Sequence, residues 1–258
     1  MKKYCLDFKV EKSEPIHKLY SLLTLTPANP KVNLPEMLPG QFVQVRIDNA
    51  DTFLRRPISI NDVDRDHQTL SLLVRNAGEG SRWLMNRSEG DIVNLMLPLG
   101  NGFAHIDASD RHPLLVGGGV GIAPMLYLGK CMSLQHAIRP TFLVGARSAA
   151  DVLQLQSLQQ WGDVFVTTED GTMGEKGLVT ASTAWNQEWT SVYCCGPAPM
   201  MKAIAQICHR AGLRCKVSLE NMMACGLGAC LCCVEKTVKG NVCVCTEGPV
   251  FDTTELTW

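Results

Sequence analysis

The sequence predicts three consecutive parts: an antiparallel β-barrel over residues 1–103, a doubly wound α/β domain over 104–212 and a small cysteine-rich domain over 213–258. Three observations support this division. The first part contains short strand-like segments separated by turn residues, and the second alternates strand-like with helix-like segments. In the third, seven of the twelve cysteines lie between Cys215 and Cys245. A chain of 258 residues is long enough for two domains and a small appendage.

The first part is predicted to be a barrel because its apolar residues alternate with polar ones or form short apolar runs. Segments of this kind cover residues 19–25, 41–47, 70–75 and 92–97. Turn-forming residues separate them at 39–40, 61–62 and 88–91. Several short strands at this spacing are typical of a small antiparallel barrel.

The second part begins with a short apolar strand at residues 113–116, which a run of glycines separates from a helical stretch at 123–136. Further apolar strands, each near helical sequence, occur at 141–145, 164–167 and 191–195. This alternation is typical of a doubly wound α/β domain. The third part is too small to be stable without a metal centre.

Composition and charge exclude several classes of function. The net charge is −1, so no general attraction to nucleic acid or to an anionic membrane is expected. No stretch is long and apolar enough to span a bilayer, and the N-terminus has no apolar signal core. The clustered cysteines indicate metal ligation in a reducing cytoplasm rather than disulfides.

Four of these cysteines have the spacing C-x4-C-x2-C-x11-C, which is the ligand pattern of a plant-type [2Fe–2S] cluster. They are Cys225, Cys230, Cys233 and Cys245. Gly226 and Gly228 let the backbone wrap around inorganic sulfide, with amide groups directed at its negative charge. A chain with such a cluster transfers single electrons.

Structural zinc is the alternative, because Cys230-x2-Cys233 together with Cys243-x-Cys245 gives four thiolates at the spacing of a zinc ribbon. Zinc would leave Cys225 and its glycine-rich loop without a role. In an extended segment Cys243 and Cys245 face the same side, so alternation does not choose between them. Cys232 is interpreted as a packed or bystander thiol.

The glycine-rich stretch 117–124 follows a strand and opens a helix. Glycines at such a turn let phosphate approach the backbone, and the helix N-terminus favours negative charge. The turn departs from the G-x-G-x-x-G fingerprint because Pro124 stands at the last glycine. Nucleotide binding is the favoured interpretation, and a plain tight turn is the alternative.

A second candidate for anion binding begins at the paired Arg55 and Arg56, which lie in an apolar, strand-rich context. Arginines there are costly unless they meet an anion, so Arg56 is a candidate to bind a diphosphate. Ser59 is a candidate to bond a ring nitrogen. A solvated arginine pair beside a turn explains the composition equally well. The stretch 75–81 offers further amides and a hydroxyl for phosphate.

Together these motifs resemble the ferredoxin–NADP reductase superfamily, in which a flavin-binding barrel precedes a nicotinamide-binding domain. The motifs are Arg56-Pro57-Ile58-Ser59, Gly119-x-Gly121-x-x-Pro124 and Cys195-Gly196-Pro197. The chain is most similar to one branch, the electron-transfer subunits of B-type, NAD-dependent dihydroorotate dehydrogenases. That branch has R-R-P-I-S, G-G-G-x-G-x-A-P and C-G-x-G-x-C-x-x-C, with a fourth cysteine before G-P-V-F, as Cys245 stands here.

The resemblance covers essentially the whole chain and implies a set of binding residues. FAD would be bound by Arg56, Pro57, Ile58, Ser59, Leu73, Val74, Arg75, Gly80 and Ser81. The nicotinamide nucleotide would meet Gly119, Gly121, Pro124, Cys195, Gly196 and Pro197. The cluster ligands would be Cys225, Cys230, Cys233 and Cys245, which settles the choice against Cys243. Two departures are Ile58, where a tyrosine often stacks on the flavin, and Ser81, where threonine is common.

The resemblance also implies a function. Electrons from the FMN of a separate dihydroorotate dehydrogenase catalytic subunit would pass through [2Fe–2S] and FAD to NAD+, in pyrimidine biosynthesis. The expected assembly is cytoplasmic and contains two copies of each chain. No side chain is required as an acid or base. The choice of NAD over NADP depends on the resemblance alone, because residues 145–148 are also able to hold a 2′-phosphate.

Two alternatives remain. The chain is the small subunit of another flavin and iron–sulfur NAD(P)H oxidoreductase, of the ferredoxin:NADP or sulfhydrogenase type, or it is a zinc-stabilised module without activity.

Overall fold

A computed structural model of the chain describes residues 2–49, 52–103, 106 and 110–258. Its first unit is a closed barrel of antiparallel strands in the order β1-β2-β5-β4-β3-β6. The strands are β1 Tyr4–His17, β2 Tyr20–Pro27, β3 Phe42–Val45, β4 Arg56–Asp64, β5 Thr69–Arg75 and β6 Ile92–Leu99. A short helix, α1 (Glu79–Met85), lies between β5 and β6. The predicted barrel is confirmed, and β1 and β4 are strands additional to the four predicted segments.

The barrel interior is filled by aliphatic and aromatic side chains from alternate positions of its strands. Phe8, Val43, Val45 and Leu72 are all fully buried there. Because successive side chains of a strand point to opposite faces, the residues between them point outward. The outer face of β3 therefore carries Phe42 and Gln44.

One predicted turn is wrong, because Asn61 and Asp62 lie inside β4. The register between β4 and β5 shifts between Ile60 and Asp62, which marks a β-bulge at Asn61. Asn61 Nδ2 donates to Ser71 Oγ at 3.0 Å, and the Asp62 carboxylate pairs with Lys130 Nζ at 2.8 Å. Asn61 and Asp62 therefore remain in the strand, because each has a bonding partner, although the sequence predicted a turn there.

The second unit is a seven-stranded sheet in the order β10-β9-β8-β7-β11-β12-β15, and a separate hairpin pairs β13 with β14. The strands are β7 Pro113–Gly118, β8 Thr141–Ala146, β9 Asp163–Thr168, β10 Glu175–Lys176, β11 Ser191–Cys195, β12 Arg214–Ser218, β13 Val234–Thr237, β14 Gly240–Cys243 and β15 Val250–Asp252. All pairs of the sheet are parallel except β12 with β15. The predicted α/β domain is confirmed.

Three helices cover the sheet: α2 Ile122–His136, α3 Leu155–Trp161 and α4 Ala198–Ala211. Helix α2 is buried on almost all sides because it lies between β7 of the sheet and β4 of the barrel. Tyr127 of α2 donates its hydroxyl to the Met37 carbonyl at 3.0 Å and so joins the two units. None of the helices in the described part of the chain is long and apolar enough to cross a membrane.

The cysteine-rich segment lies between β12 and β15 and packs against the barrel. The Asn101 backbone amide donates to the Gly248 carbonyl at 2.6 Å, and its side-chain amide donates to the Thr246 carbonyl at 2.8 Å. Buried Cys233 and Cys245 share a core with Phe42 of the barrel. The sheet takes strands β12 and β15 from residues 213–258, and the domain boundaries at 103/104 and 212/213 stay predictions.

Candidate functional site

The barrel, the sheet and the cysteine-rich segment meet around a large cavity. Its volume is about 420 Å³, which is within the range of small-molecule binding sites. Its lining comes from β4, β5 and α1 of the barrel unit, and from Val120 and residues 218–223. Most of the predicted FAD residues line it, namely Arg56, Pro57, Ile58, Ser59, Leu73, Arg75 and Ser81.

The two adjacent arginines have different surroundings. Arg55 Nη1 donates to the carbonyls of Gln44 at 3.1 Å and Asn94 at 3.2 Å, so this side chain ties β3 to β6. Arg56 lines the cavity, and its Nη1 donates to the Leu54 carbonyl at 2.8 Å. This bond anchors one end of the guanidinium beside the cavity. Of the two, Arg56 is the one placed to meet a bound anion.

Gly80 and Ser81 lie in the first turn of α1 and shape the cavity beside Arg56. A β-carbon on Gly80 would lie 2.6 Å from Arg56 Nε, so only glycine lets the guanidinium lie in this position. Ser81 Oγ accepts from the Ala77 amide at 2.8 Å and donates to the Gly78 carbonyl at 3.0 Å. The hydroxyl therefore holds the turn itself, and a contact with phosphate stays a prediction.

Alternation along β5 separates the three predicted FAD residues on this strand. Leu73 and Arg75 line the cavity. Val74 is fully buried in the barrel core, on the opposite face of the strand. Its side chain points away from the cavity, so Val74 is able to contact a ligand only through its backbone.

The predicted nucleotide turn lies against the Cys195-Gly196-Pro197 block at the carboxyl ends of β7 and β11. These parallel strands are neighbours in the sheet, and the strand order reverses between them. A β-carbon on Gly121 would lie 2.3 Å from the Cys195 carbonyl oxygen, so the turn requires glycine there. Gly119 begins the turn and Pro124 lies in the first turn of α2. Ligands of open α/β sheets bind at such a reversal point.

Glu220 is a cavity residue that the sequence did not indicate. Its side chain is exposed toward the cavity, and Cys195 Sγ lies 3.9 Å from its Oε1. The protein around the cavity nevertheless withdraws water from the Glu220 carboxyl, and this desolvation raises its pKa against the opposing effect of Arg75. Burial and the Glu220 charge raise the pKa of the Cys195 thiol. No sequence motif marked it, since it lies two residues after the end of β12, a strand that the apolar pattern did not predict.

The four predicted cluster ligands lie at two depths in the cysteine-rich segment. Cys233 and Cys245 are buried, with exposed fractions of 2% and 0%. Cys225 is half-buried and Cys230 is exposed. A metal centre held by this set would therefore have a protein-covered side and a side near the surface.

Backbone amides point at the thiols of these cysteines. The Leu227 amide donates to Cys225 Sγ at 3.3 Å, and the Gly228 amide donates to Cys245 Sγ at 3.1 Å. The Cys245 amide in turn points at Cys233 Sγ at 3.4 Å. Donors in this arrangement stabilise thiolates and the sulfides of a cluster. The donor set fits the expected iron–sulfur group.

The thiols interact in pairs. Burial acts to raise the pKa of the Cys225 thiol, but the amides of Leu227 and Cys230 and the Cys230 side chain outweigh it and lower the pKa to about 6. Burial and a bond with Cys233 raise the pKa of Cys245 to about 12. No three His, Cys, Asp or Glu side chains within the described ranges stand close enough to hold a single metal ion.

Cys232 and Cys243 differ from the four predicted ligands. Cys232 is exposed. Cys243 is half-buried, and its Sγ donates to the Gly228 carbonyl at 3.9 Å. A carbonyl oxygen beside Cys243 opposes a thiolate. The Gly228 amide beside Cys245 favours one, against the effect of burial on the Cys245 thiol. The ligand assignment stays a prediction, and this contrast supports it.

Comparisons with known proteins agree with the geometry. Residues 220–257 match the family model described as iron-sulfur cluster binding domain of dihydroorotate dehydrogenase B, and residues 115–206 match oxidoreductase NAD-binding domain. The solved structure of an NADH-dependent reduced ferredoxin-NADP oxidoreductase, studied for flavin-based electron bifurcation, superposes with a TM-score of 0.84 at 27% identity. That match covers 97% of this chain and 90% of the other.

Two curated relatives are named dihydroorotate dehydrogenase B (NAD(+)), electron transfer subunit. The protein of Caldanaerobacter subterraneus subsp. tengcongensis is 42% identical over 224 residues, which cover 83% of this chain and 84% of that protein. The protein of Listeria monocytogenes serotype 4a is 35% identical over 253 residues, which cover 96% of both chains. The similarity thus extends over nearly the full length.

Fold and site together define an NAD-linked flavin reductase of the ferredoxin–NADP reductase type that carries an iron–sulfur domain. Within that class, the chain belongs to the family of electron transfer subunits of dihydroorotate dehydrogenase B (NAD(+)). The predicted family and the predicted cofactors FAD, [2Fe–2S] and NAD are confirmed.

Proposed function

We propose that this chain carries electrons from the FMN of a dihydroorotate dehydrogenase catalytic subunit, through a [2Fe–2S] cluster and FAD, to NAD+ in pyrimidine biosynthesis. One observation carries the proposal. Residues 218–223 line the same cavity as Arg56 and Ser59, and Cys225 follows this segment two residues later. Electron transfer requires close approach of the two centres, so a short segment that borders both sites suits this function.

The cavity is the proposed FAD site. Arg56 would bind the diphosphate, and Ser59 would bond a ring nitrogen, while Pro57, Ile58, Leu73 and Arg75 supply walls. Val74 would contribute only its backbone. Gly80 makes room for Arg56, and Ser81 holds the turn beside it. When bound, FAD accepts single electrons and delivers a hydride to a nicotinamide.

The proposed NAD+ site is the reversal point between β7 and β11. Gly119, Gly121 and Pro124 would receive the phosphates at the start of α2. Cys195, Gly196 and Pro197 would adjoin the nicotinamide. Cys195 and Glu220 would lie near the place where the two cofactors meet, and we assign them positioning roles rather than proton transfer.

The proposed ligands of the cluster are Cys225, Cys230, Cys233 and Cys245. Large apolar side chains are exposed around them, with exposed fractions of 85% for Met222, 64% for Leu231 and 43% for Leu227. Exposed apolar patches of this kind mark interaction sites. This surface is the proposed contact with the catalytic subunit, where electrons would enter through the exposed side of the cluster.

The proposed assembly contains two copies of each chain around a two-fold axis, the commonest arrangement of paired subunits. We place it in the cytoplasm, because clustered cysteines that ligate a metal centre suit a reducing compartment.

Cofactor analysis tests the proposal. The anaerobically purified chain should contain one FAD and two irons with two acid-labile sulfides, and it should be yellow-brown. Stoichiometric zinc without labile sulfide would contradict the proposal, because zinc supports no electron transfer.

A further inference from the structure

Gln44 is a buried polar residue on the outer face of the barrel. It lies in β3 between Val43 and Val45, whose side chains fill the barrel interior. Gln44 therefore points outward. Its exposed fraction is nonetheless 0%, because the cysteine-rich segment covers this face.

The side-chain amide of Gln44 has no hydrogen-bond partner among the described residues. Neither Nε2 nor Oε1 is bonded, although both are buried. Its backbone carbonyl is satisfied by Arg55 Nη1 at 3.1 Å, so the unpaired atoms belong to the side chain. A buried amide without a partner costs free energy, and native proteins satisfy nearly all such groups. The arrangement indicates that a bound group completes it.

Gln41, a second buried glutamine in this region of the barrel, has partners for its side-chain amide. Its Oε1 accepts from the Leu38 amide at 2.7 Å, and its Nε2 donates to the Gly100 carbonyl at 2.8 Å. Its exposed fraction is 2%. The two glutamines have the same chemistry and similar burial, and they differ in what their amides face.

The Gln44 amide faces the loop that carries the predicted cluster ligands. A β-carbon on Gly226 would lie 3.1 Å from Gln44 Nε2 and 3.0 Å from its Cγ. Gly226 has a φ of 68°, and it directly follows Cys225. Next in the chain, the Leu227 amide already donates to Cys225 Sγ at 3.3 Å. Gln44 is therefore a barrel residue adjacent to the half-buried side of the proposed cluster site.

We propose that the Gln44 side-chain N–H donates a hydrogen bond to a sulfur atom of the bound cluster, either the Cys225 thiolate or an inorganic sulfide, and thereby raises the cluster's reduction potential. The inference rests on the proposed function, because it requires the cluster at these cysteines. Reduction adds negative charge to the cluster. A donor at its sulfur stabilises the reduced state more than the oxidised one, and hydrogen bonds to sulfur are a known determinant of cluster potential.

The test is a redox titration of the anaerobically purified protein, monitored by the EPR signal of the reduced cluster. Gln44→Leu keeps the approximate volume and removes the donor. We expect the equilibrium constant for one-electron reduction to fall about tenfold, which is a decrease of ~59 mV in the midpoint potential. Gln41→Leu is the matched control and should leave the potential unchanged, because its amide bonds only protein groups.

A second measurement uses the protein with its unmodified sequence. It tests for the hydrogen bond from Gln44 even if the Gln44→Leu variant loses its cluster. Protein labelled with 15N in its glutamine side chains should show a weak nitrogen coupling to the reduced cluster in pulsed EPR. Equal potentials in Gln44→Leu and the unmodified protein, or no such coupling, would overturn the inference. Absence of any cluster signal from the unmodified protein would instead overturn the proposed function.

Discussion

Arg56 offers the sharpest test of the proposed FAD site. Its guanidinium lies in the cavity wall, in a position that depends on the missing side chain of Gly80. A charge-assisted bond to phosphate contributes about 1.5–3 kcal/mol, so Arg56→Ala should weaken FAD binding roughly tenfold to a hundredfold. The assay is fluorescence titration of flavin-free protein with FAD, which gives the dissociation constant directly.

Two further variants separate this effect from a general loss of structure. Arg147→Ala removes an arginine that does not line the cavity, and FAD affinity should not change. Gly80→Ala places a β-carbon 2.6 Å from Arg56 Nε, so it should displace the guanidinium and weaken FAD binding by less than Arg56→Ala does. Equal FAD affinity in Arg56→Ala and Arg147→Ala would refute the assignment of Arg56 to the diphosphate.

Three other outcomes are expected. Serine in place of a proposed ligand should abolish or badly weaken the visible spectrum of the cluster; the four positions are Cys225, Cys230, Cys233 and Cys245. The control variants Cys232→Ser and Cys243→Ser should keep the spectrum. Loss of the cluster in Cys243→Ser, together with its retention in Cys245→Ser, would reverse the ligand assignment. Because burial raises the pKa of Glu220, its carboxyl gains a proton at a higher pH than the usual value of about 4.3, and the rate of flavin reduction by NADH should change there. Glu220→Gln should remove that change, and identical pH profiles would count against a role for Glu220. Leu231→Asp should weaken the complex with the catalytic subunit without slowing NADH oxidation. Leu134 on α2 is similarly exposed, and the control variant Leu134→Asp should leave the complex intact. Size-exclusion chromatography of the mixed subunits distinguishes these results.

The sequence predicts those parts of the fold whose signals are local. Four barrel strands follow from apolar alternation or short apolar runs, and β7, β8, β9 and β11 of the sheet follow from apolar runs. The cluster domain follows from cysteine spacing. The error at Asn61 and Asp62 has a tertiary cause. These residues resemble a turn, but a bulge and the ion pair with Lys130 of α2 keep them in a strand.

The roles of Glu220 and Gln44 could not be predicted from the sequence, because they too depend on contacts between distant parts of the chain. Glu220 reaches the cavity because β12 ends beside Cys195 of β11, and this depends on the order of strands in the sheet. Gln44 occupies an outward position of β3, where a polar residue normally contacts solvent. Only the packing of the cysteine-rich segment onto the barrel buries it. Both residues lie where separate parts of the chain meet.

Steady-state turnover of dihydroorotate tests the proposed electron path most directly. The isolated chain should oxidise NADH with an artificial electron acceptor but should not turn over dihydroorotate. Addition of an FMN-containing catalytic subunit should give dihydroorotate oxidation coupled to reduction of NAD+, together with a stable complex of the two chains. Dihydroorotate oxidation by this chain alone, or failure to form the complex, would contradict the assignment.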